Sequence, residues 1–212
     1  MEFTELVEII GEEPIFETGL LIAGNANPLD IHRQLSRWTQ VGKIYQLRRG
    51  LYTLAPPFQK VNPHPFLVAN HMLPASYVSL QSALAYFGMI PEYVPVTTSV
   101  TTRRPAHWET PLGIFDYHHI RIDFFNGYRL VDLGEKRQAF IARPEKALLD
   151  LIYLESGGEK LDYLTELRLG NLNQLDWQLL RHLARRIEKP KLLRAVASLQ
   201  KLAGIEEEFE SL

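Results

Sequence analysis

Four polar side chains recur every three to four residues in the segment after Asn27-Pro28, and all four can recognise nucleic acid. They are Arg33, Ser36, Arg37 and Gln40, with His32 and Lys43 beside them. At 100° per residue they fall on one side of a helix, opposite an apolar stripe of Ile31, Leu35 and Trp38. Arginine and glutamine suit the edges of guanine and adenine, whereas serine and lysine suit phosphates. The pattern predicts a helix that packs through one face and can enter a DNA groove through the other.

A polar face has a second explanation, because every amphipathic surface helix carries one. The residues that follow favour recognition. Two strand-like runs, residues 43–47 and 51–54, flank Arg48-Arg49-Gly50 and indicate a β-hairpin with two arginines at its tip. Arginines placed there can contact phosphates or a minor groove. A merely solvated hairpin tip is the alternative.

The charge distribution supports the same interpretation, although the net charge is only −2. From Ile31 to Pro91 there is no Asp or Glu, whereas an even distribution of the 25 acidic residues would place about seven there. Acidic residues concentrate near the N-terminus and in the last residues of the chain. A basic stretch within a near-neutral protein is typical of a nucleic-acid binder.

Three helices are predicted before the hairpin. Apolar spacing and stop signals predict helices at residues 2–10, 18–22 and 28–41, the last capped by Asn27 and ended by Gly42. Gly and Asn residues predict a turn at 24–27.

Two short helices, a longer basic helix and an arginine-tipped hairpin follow the order of a winged helix-turn-helix. We therefore predict an α+β protein with a winged helix-turn-helix DNA-binding domain at residues 1–58 and a mixed α/β C-terminal domain at residues 59–212. The boundary is placed at the proline-rich stretch from Ala55 to Pro65.

The second part of the chain is predicted to combine helices with a strand-rich middle. Helices are expected at 63–72, 80–87 (capped by Ser79), 144–154, 161–169, 176–187 and 190–203. Strands are expected at 96–102, 113–117, 119–124, 130–133 and 139–142.

Several stretches of the chain resemble the AbiEi-type antitoxins of bacterial abortive-infection systems, over about residues 15–155. The matching stretches are Leu35-Ser36-Arg37-Trp38 through Arg48-Arg49-Gly50-Leu51-Tyr52, Tyr77 to Glu92, Val100-Thr101-Thr102-Arg103-Arg104-Pro105, and Ile141-Ala142-Arg143-Pro144-Glu145-Lys146-Ala147-Leu148-Leu149-Asp150-Leu151. The first stretch is shared by many winged-helix proteins, and the combination is more specific.

The resemblance implies a transcriptional autorepressor that binds double-stranded DNA at its own operator. It also implies functional antagonism of a nucleotidyltransferase toxin encoded nearby, without a stable complex, with the C-terminal domain needed for neutralisation. Neither an enzymatic activity nor a cofactor is expected.

Two other functions stay open on the sequence. A metal-dependent nuclease would use Asp132, Glu135 and Lys136, or Glu145 with Lys146, because two-metal chemistry needs converging acids near a lysine. A ligand-sensing repressor would hold a small molecule in the C-terminal domain. The seven histidines have no metal-binding spacing, and the phosphate-binding glycine motifs and the serine-hydrolase motif are absent from the sequence.

Arg103 and Arg104, after a threonine-rich strand, form a possible second basic patch; the alternative is that they guard an edge strand with charge. The chain has no cysteine, no basic leader and no apolar run of membrane-spanning length. We therefore expect a cytoplasmic protein without a membrane partner.

Overall fold

The computed structural model describes residues 1–22, 27–135 and 137–210, and from residue 205 onward only the helical backbone. It is a mixed α+β structure, as the sequence predicted. The predicted turn at 24–27 lies almost entirely outside the described residues.

The first part contains three helices, α1 (Phe3–Ile10), α2 (Thr18–Ile22) and α3 (Pro28–Gln40). The predicted positions are confirmed to within one or two residues. Pro28 takes the first helical position of α3, and the Asn27 side chain accepts a hydrogen bond from the Leu29 amide, so this helix begins where the capping signal placed it.

Three strands, β1 (Phe16–Glu17), β2 (Ile44–Arg48) and β3 (Leu51–Leu54), form a small antiparallel sheet in the order β1-β3-β2. The predicted hairpin is confirmed, and Gly50 at its turn has φ +81°, which favours glycine. β1 was not predicted, because two residues are too short to show a period.

The apolar stripe of α3 packs with α1, α2 and the sheet into one core. Leu6, Leu35 and Ile44 are completely buried there, and Phe3 stacks edge-on against Trp38. The hairpin also faces the rest of the molecule, since Leu47 and Leu51 belong to the larger second core. The boundary at residue 58 stays a prediction.

The second part is built on a six-stranded mixed sheet in the order β6-β7-β5-β4-β9-β8. Its strands are β4 (Ser76–Val78), β5 (Val96–Thr101), β6 (Ala106–Thr110), β7 (Gly113–His119), β8 (Tyr128–Asp132) and β9 (Gln138–Ala142). β5 runs parallel to β7, β4 runs parallel to β9, and the other pairs are antiparallel.

Six helices accompany this sheet. They are α4 (Pro65–Met72), α5 (Leu80–Tyr86), α6 (Pro144–Leu154), α7 (Leu161–Glu166), α8 (Trp177–Arg186) and α9 (Pro190–Glu210). α6 is the central one, because eight of its eleven residues are buried, including Glu145, Lys146 and Asp150.

Three local predictions for this part are wrong. Strands β4 and β6 were missed, and residues 122–124 form a 3₁₀ turn where a strand was expected. Ser79 does not cap α5 through its side chain; its hydroxyl donates to the Asp150 carboxylate at 2.8 Å. A hydrogen bond from the Ser79 hydroxyl to a buried carboxylate is stronger than the bond that this hydroxyl would accept from an amide at the start of α5.

Candidate nucleic-acid interface

Helix α3 turns its polar side chains to solvent, as its spacing predicted. Ile31, Leu35 and Trp38 are buried, whereas the predicted contact residues on the other side are exposed: His32, Arg33, Ser36, Arg37 and Gln40. One face of the helix therefore packs in the core, and the side chains on the other face present hydrogen-bond donors to solvent.

The hairpin turn is clamped to the start of α2. The backbone amide of Thr18 donates to the Gly50 carbonyl at 3.0 Å, and the Thr18 hydroxyl approaches the same oxygen at 3.4 Å. Thr18 is itself buried. These bonds hold the turn, and with it Arg49, at a fixed position relative to α2 and α3.

An open groove of about 700 Å³ runs between α2, α3 and the hairpin. Its lining brings together four predicted contact residues: His32, Ser36, Gln40 and Arg49. Among the residues that the structure describes, no acidic side chain lines it, and the remaining polar positions are Thr18, Thr39, Gln46 and Tyr52. Burial raises the pKa of the Tyr52 phenol, an effect that a hydrogen bond with Thr18 opposes, so the tyrosine stays neutral at physiological pH.

Sequence reasoning missed Gln46 and Tyr52 as members of this groove. The two are direct partners across the β2–β3 ladder, so they share one face of the hairpin. The register that pairs them includes an irregularity between Gln46 and Arg48, and no sequence signal marks that irregularity.

Two cations on this side of the molecule have partners within the chain. Arg33 forms an ion pair with Asp30 at 3.3 Å, both side chains being exposed. Asp30 directly precedes the acid-free stretch, so α3 carries one carboxylate at its N-terminal end. Lys43 is half-buried, with its ammonium 4.5 Å from the centre of the Phe3 ring.

The two hairpin arginines have different surroundings. Arg49 is exposed beside the groove. Arg48 instead turns toward α4 and donates to the His71 carbonyl at 3.2 Å and the Arg49 carbonyl at 3.1 Å, with the Glu17 carboxylate at 3.9 Å. Its Nε is buried without a hydrogen-bond partner. Arg48 therefore joins the hairpin to α4. Of the two arginines at the hairpin tip, Arg49 is the one whose side chain is exposed to solvent.

Arg103 and Arg104 are both exposed, in the turn after β5. The edge-strand interpretation of this segment is wrong, since β5 lies between β7 and β4. The turn is held by the Arg103 amide, which donates to Thr101 Oγ1 at 3.1 Å, and by His119, whose Nδ1 lies 3.0 Å from the Arg103 carbonyl.

The side chains considered for nuclease chemistry do not converge. Asp132 accepts a hydrogen bond from the Gly134 amide and Glu135 pairs with Arg137, both at the surface; Lys136 lies outside the described residues. Glu145 accepts a hydrogen bond from the Asp176 amide at 2.8 Å, at the start of α8.

Lys146 also has a different partner, the Asp150 carboxylate in the core, which accepts further hydrogen bonds from Tyr77 and Ser79. Among the described side chains, no three His, Asp or Glu residues come together closely enough to hold a metal ion.

No protein-family model matches the chain, and no curated protein is significantly similar to it in sequence. Within the described part of the chain, no helix is both long and apolar enough to cross a membrane.

Proposed function

We propose that the chain is a DNA-binding transcriptional autorepressor that reads its operator through an N-terminal winged helix-turn-helix. The observation that carries this proposal is the groove in which His32, Ser36 and Gln40 of α3 lie beside Arg49 of the hairpin, with no acidic side chain among its described lining residues. In this proposal α3 enters a major groove, and Arg37 contacts a base edge. Arg49 contacts the flanking backbone.

The rest of the surface on this side agrees with a polyanionic partner. Arg37 is exposed, and no described residue forms an ion pair with it, so its guanidinium is free to bind a guanine edge. An acidic partner protein would also suit exposed arginines. It would not require the neutral donors Ser36 and Gln40 on the same face of the helix.

Titration of the purified protein against its own upstream DNA and a scrambled duplex tests the proposal, by fluorescence anisotropy at several salt concentrations. We expect preference for the upstream sequence and a log–log salt slope of about −4 to −6, since each neutralised phosphate contributes roughly −0.9. Equal, weak binding to both duplexes with a shallow slope would overturn it.

We further propose that this repressor is the antitoxin of a toxin–antitoxin operon whose toxin is a nucleotidyltransferase. The support is the resemblance of the stretches around Arg37, Gln81, Arg103 and Lys146 to AbiEi-type antitoxins. Co-expression with a nucleotidyltransferase encoded beside it should restore growth, and the two proteins should elute separately from a size-exclusion column. Continued growth arrest would remove the antitoxin part of the proposal and leave the DNA-binding part standing.

A further inference from the structure

A second concave site lies far along the chain from α3, between the large sheet and its helices. It has a volume of about 630 Å³ and opens between strands β5 and β7 on one side and α5, α6 and α7 on the other. Residues of the loop at 90–95 also line it. This volume falls within the roughly 300–1,000 Å³ of small-molecule sites.

The walls of this cavity are mainly apolar. Leu80, Ile90, Leu151 and Leu154 line it from three separate segments. Leu80 is buried and has φ +57°, a left-handed conformation that is unfavourable for a residue other than glycine. The wall of the cavity therefore includes an unfavourable backbone conformation.

Carboxylates predominate around the cavity, although the Lys191 ammonium donates a hydrogen bond to the backbone carbonyl of Glu155, one of the lining residues. Among the described residues, four carboxylates (Glu92, Asp116, Glu155 and Glu166) and the imidazole of His118 line the cavity, and no lysine or arginine does. Glu92 pairs with Arg168 at 3.5 Å and Asp116 contacts His107, whereas Glu155 and Glu166 form no ion pair with any residue that the structure describes. A concave site lined mainly by carboxylates attracts cations and repels anions.

We propose that this cavity binds a small organic cation with an apolar body, such as a hydrophobic amine. The apolar group lies against the leucines of α5 and α6, and the ammonium lies at the opening between Glu155 and Glu166. Tyr93, 88% exposed on the loop beside the opening, offers an aromatic face to the same charge. The site gives a location and a ligand class to the ligand-sensing alternative. It does not rest on the proposed DNA-binding function, because none of its residues lies on α3 or the hairpin.

Three probes of nearly equal shape and different charge test the proposal: phenethylamine, phenylethanol and phenylacetate. Each is titrated into ¹⁵N-labelled full-length protein while amide shifts are followed by NMR. We expect the amine to shift amides of β5, β7 and the end of α6. Its Kd should be about tenfold lower than that of the alcohol, because the carboxylates attract its ammonium group. Phenylacetate should bind more weakly than the alcohol.

Two variants connect the charge preference to this site. The double variant Glu155→Gln/Glu166→Gln should raise the Kd of the amine toward that of the alcohol and leave the alcohol unchanged. Glu8→Gln is the matched control, because Glu8 is an exposed carboxylate on α1 and does not line the cavity. Equal affinity for the three probes, shifts elsewhere in the protein, or no saturable shift with the amine would each overturn the proposal. Loss of operator binding alone would leave it intact.

Discussion

Helices α3 and α6 carry similar numbers of charged residues and place them in opposite environments. α3 exposes Arg33 and Arg37 and buries only apolar side chains. α6 buries Glu145, Lys146 and Asp150, each with a partner inside the protein. The charges of α3 are thus in contact with water, with one exposed ion pair between Arg33 and Asp30, whereas those of α6 are bound inside the protein.

The difference lies in what surrounds each helix. On α6, the Asp150 carboxylate accepts hydrogen bonds from Tyr77, from Ser79 and from the ammonium of Lys146, so these three partners offset the cost of removing it from water. No comparable set of donors and acceptors faces the outer side of α3. A charged residue on a helix therefore indicates function only after its partners are known.

The largest effect is expected from breaking the buried cluster. Lys146→Met should destabilise the protein by about 3–5 kcal/mol, because it leaves a buried carboxylate without its countercharge. Burial already raises the pKa of Asp150, which Lys146 opposes, so the variant should raise that pKa further. Urea denaturation monitored by circular dichroism measures the change.

The matched rescue is Lys146→Met/Asp150→Asn, which removes both charges and keeps an oxygen that can accept from Tyr77 and Ser79. We expect the double variant to recover part of the lost stability. If the double variant is less stable than Lys146→Met alone, the carboxylate does not depend on the lysine in the way described.

The next effect is expected on the exposed helix. Arg37→Ala should weaken binding to the upstream duplex by about 1–3 kcal/mol and reduce sequence preference, with the midpoint of urea unfolding almost unchanged. Arg121→Ala is the control, since Arg121 is an exposed arginine that pairs with Asp123. Comparable losses for Arg37→Ala and Arg121→Ala would mean that α3 does not read the sequence.

Asp30 allows the same helix to be tested in the opposite direction. Asp30→Asn removes the carboxylate that pairs with Arg33, so we expect tighter binding to both duplexes and a steeper salt dependence. The gain should be about 1 kcal/mol or less, because an exposed ion pair is weak. Anisotropy titrations measure it, and weaker binding by this variant would place the DNA elsewhere.

The hairpin provides two adjacent arginines with separate predicted roles. Arg49→Ala should weaken binding to all duplexes alike and reduce the salt slope by about one, as expected for a phosphate contact. Arg48→Ala should instead lower the free energy of unfolding by about 1 kcal/mol, since it removes charged hydrogen bonds to two carbonyls. Equal salt slopes for both variants would contradict this division.

The exposed face of α3 could be predicted from sequence, because residues three to four apart lie on the same face of a helix. Once the apolar residues mark the buried face, the remaining residues must be exposed. The groove could be predicted only in part. Ser36 and Arg49 are assigned by local patterns, but the position of Arg48 depends on His71, 23 residues further along the chain. Sequence order carries no information about a carbonyl contact at that separation.

The buried cluster of α6 could not be predicted, for a related reason. Lys146 and Asp150 lie one helical turn apart and have the spacing of an ordinary surface ion pair. They are buried against Ser79 and Tyr77, which contact Asp150 and precede it in the sequence by 71 and 73 residues. Strands β4 and β6 were missed likewise, since three to five residues become a strand through their neighbours in the sheet and not through their own pattern.

The surface pair of His107 and Asp116 is the solvent-exposed counterpart of Lys146 and Asp150, and the smallest effect is expected there. His107 Nδ1 lies 2.5 Å from the Asp116 carboxylate across the β6–β7 ladder, and hydrogen bonds to Asp116 and Glu109 raise its pKa above the ordinary 6.5. A histidine whose pKa is higher in the folded state stabilises the protein fully below its unfolded pKa, and that contribution is lost as the pH rises through the folded value.

An NMR titration of the His107 imidazole should therefore give a pKa above 6.5, and Asp116→Asn should lower this pKa more than Glu109→Gln does, because Asp116 is the larger cause. An unchanged imidazole pKa in Asp116→Asn would show that water, and not the carboxylate, controls the charge of His107.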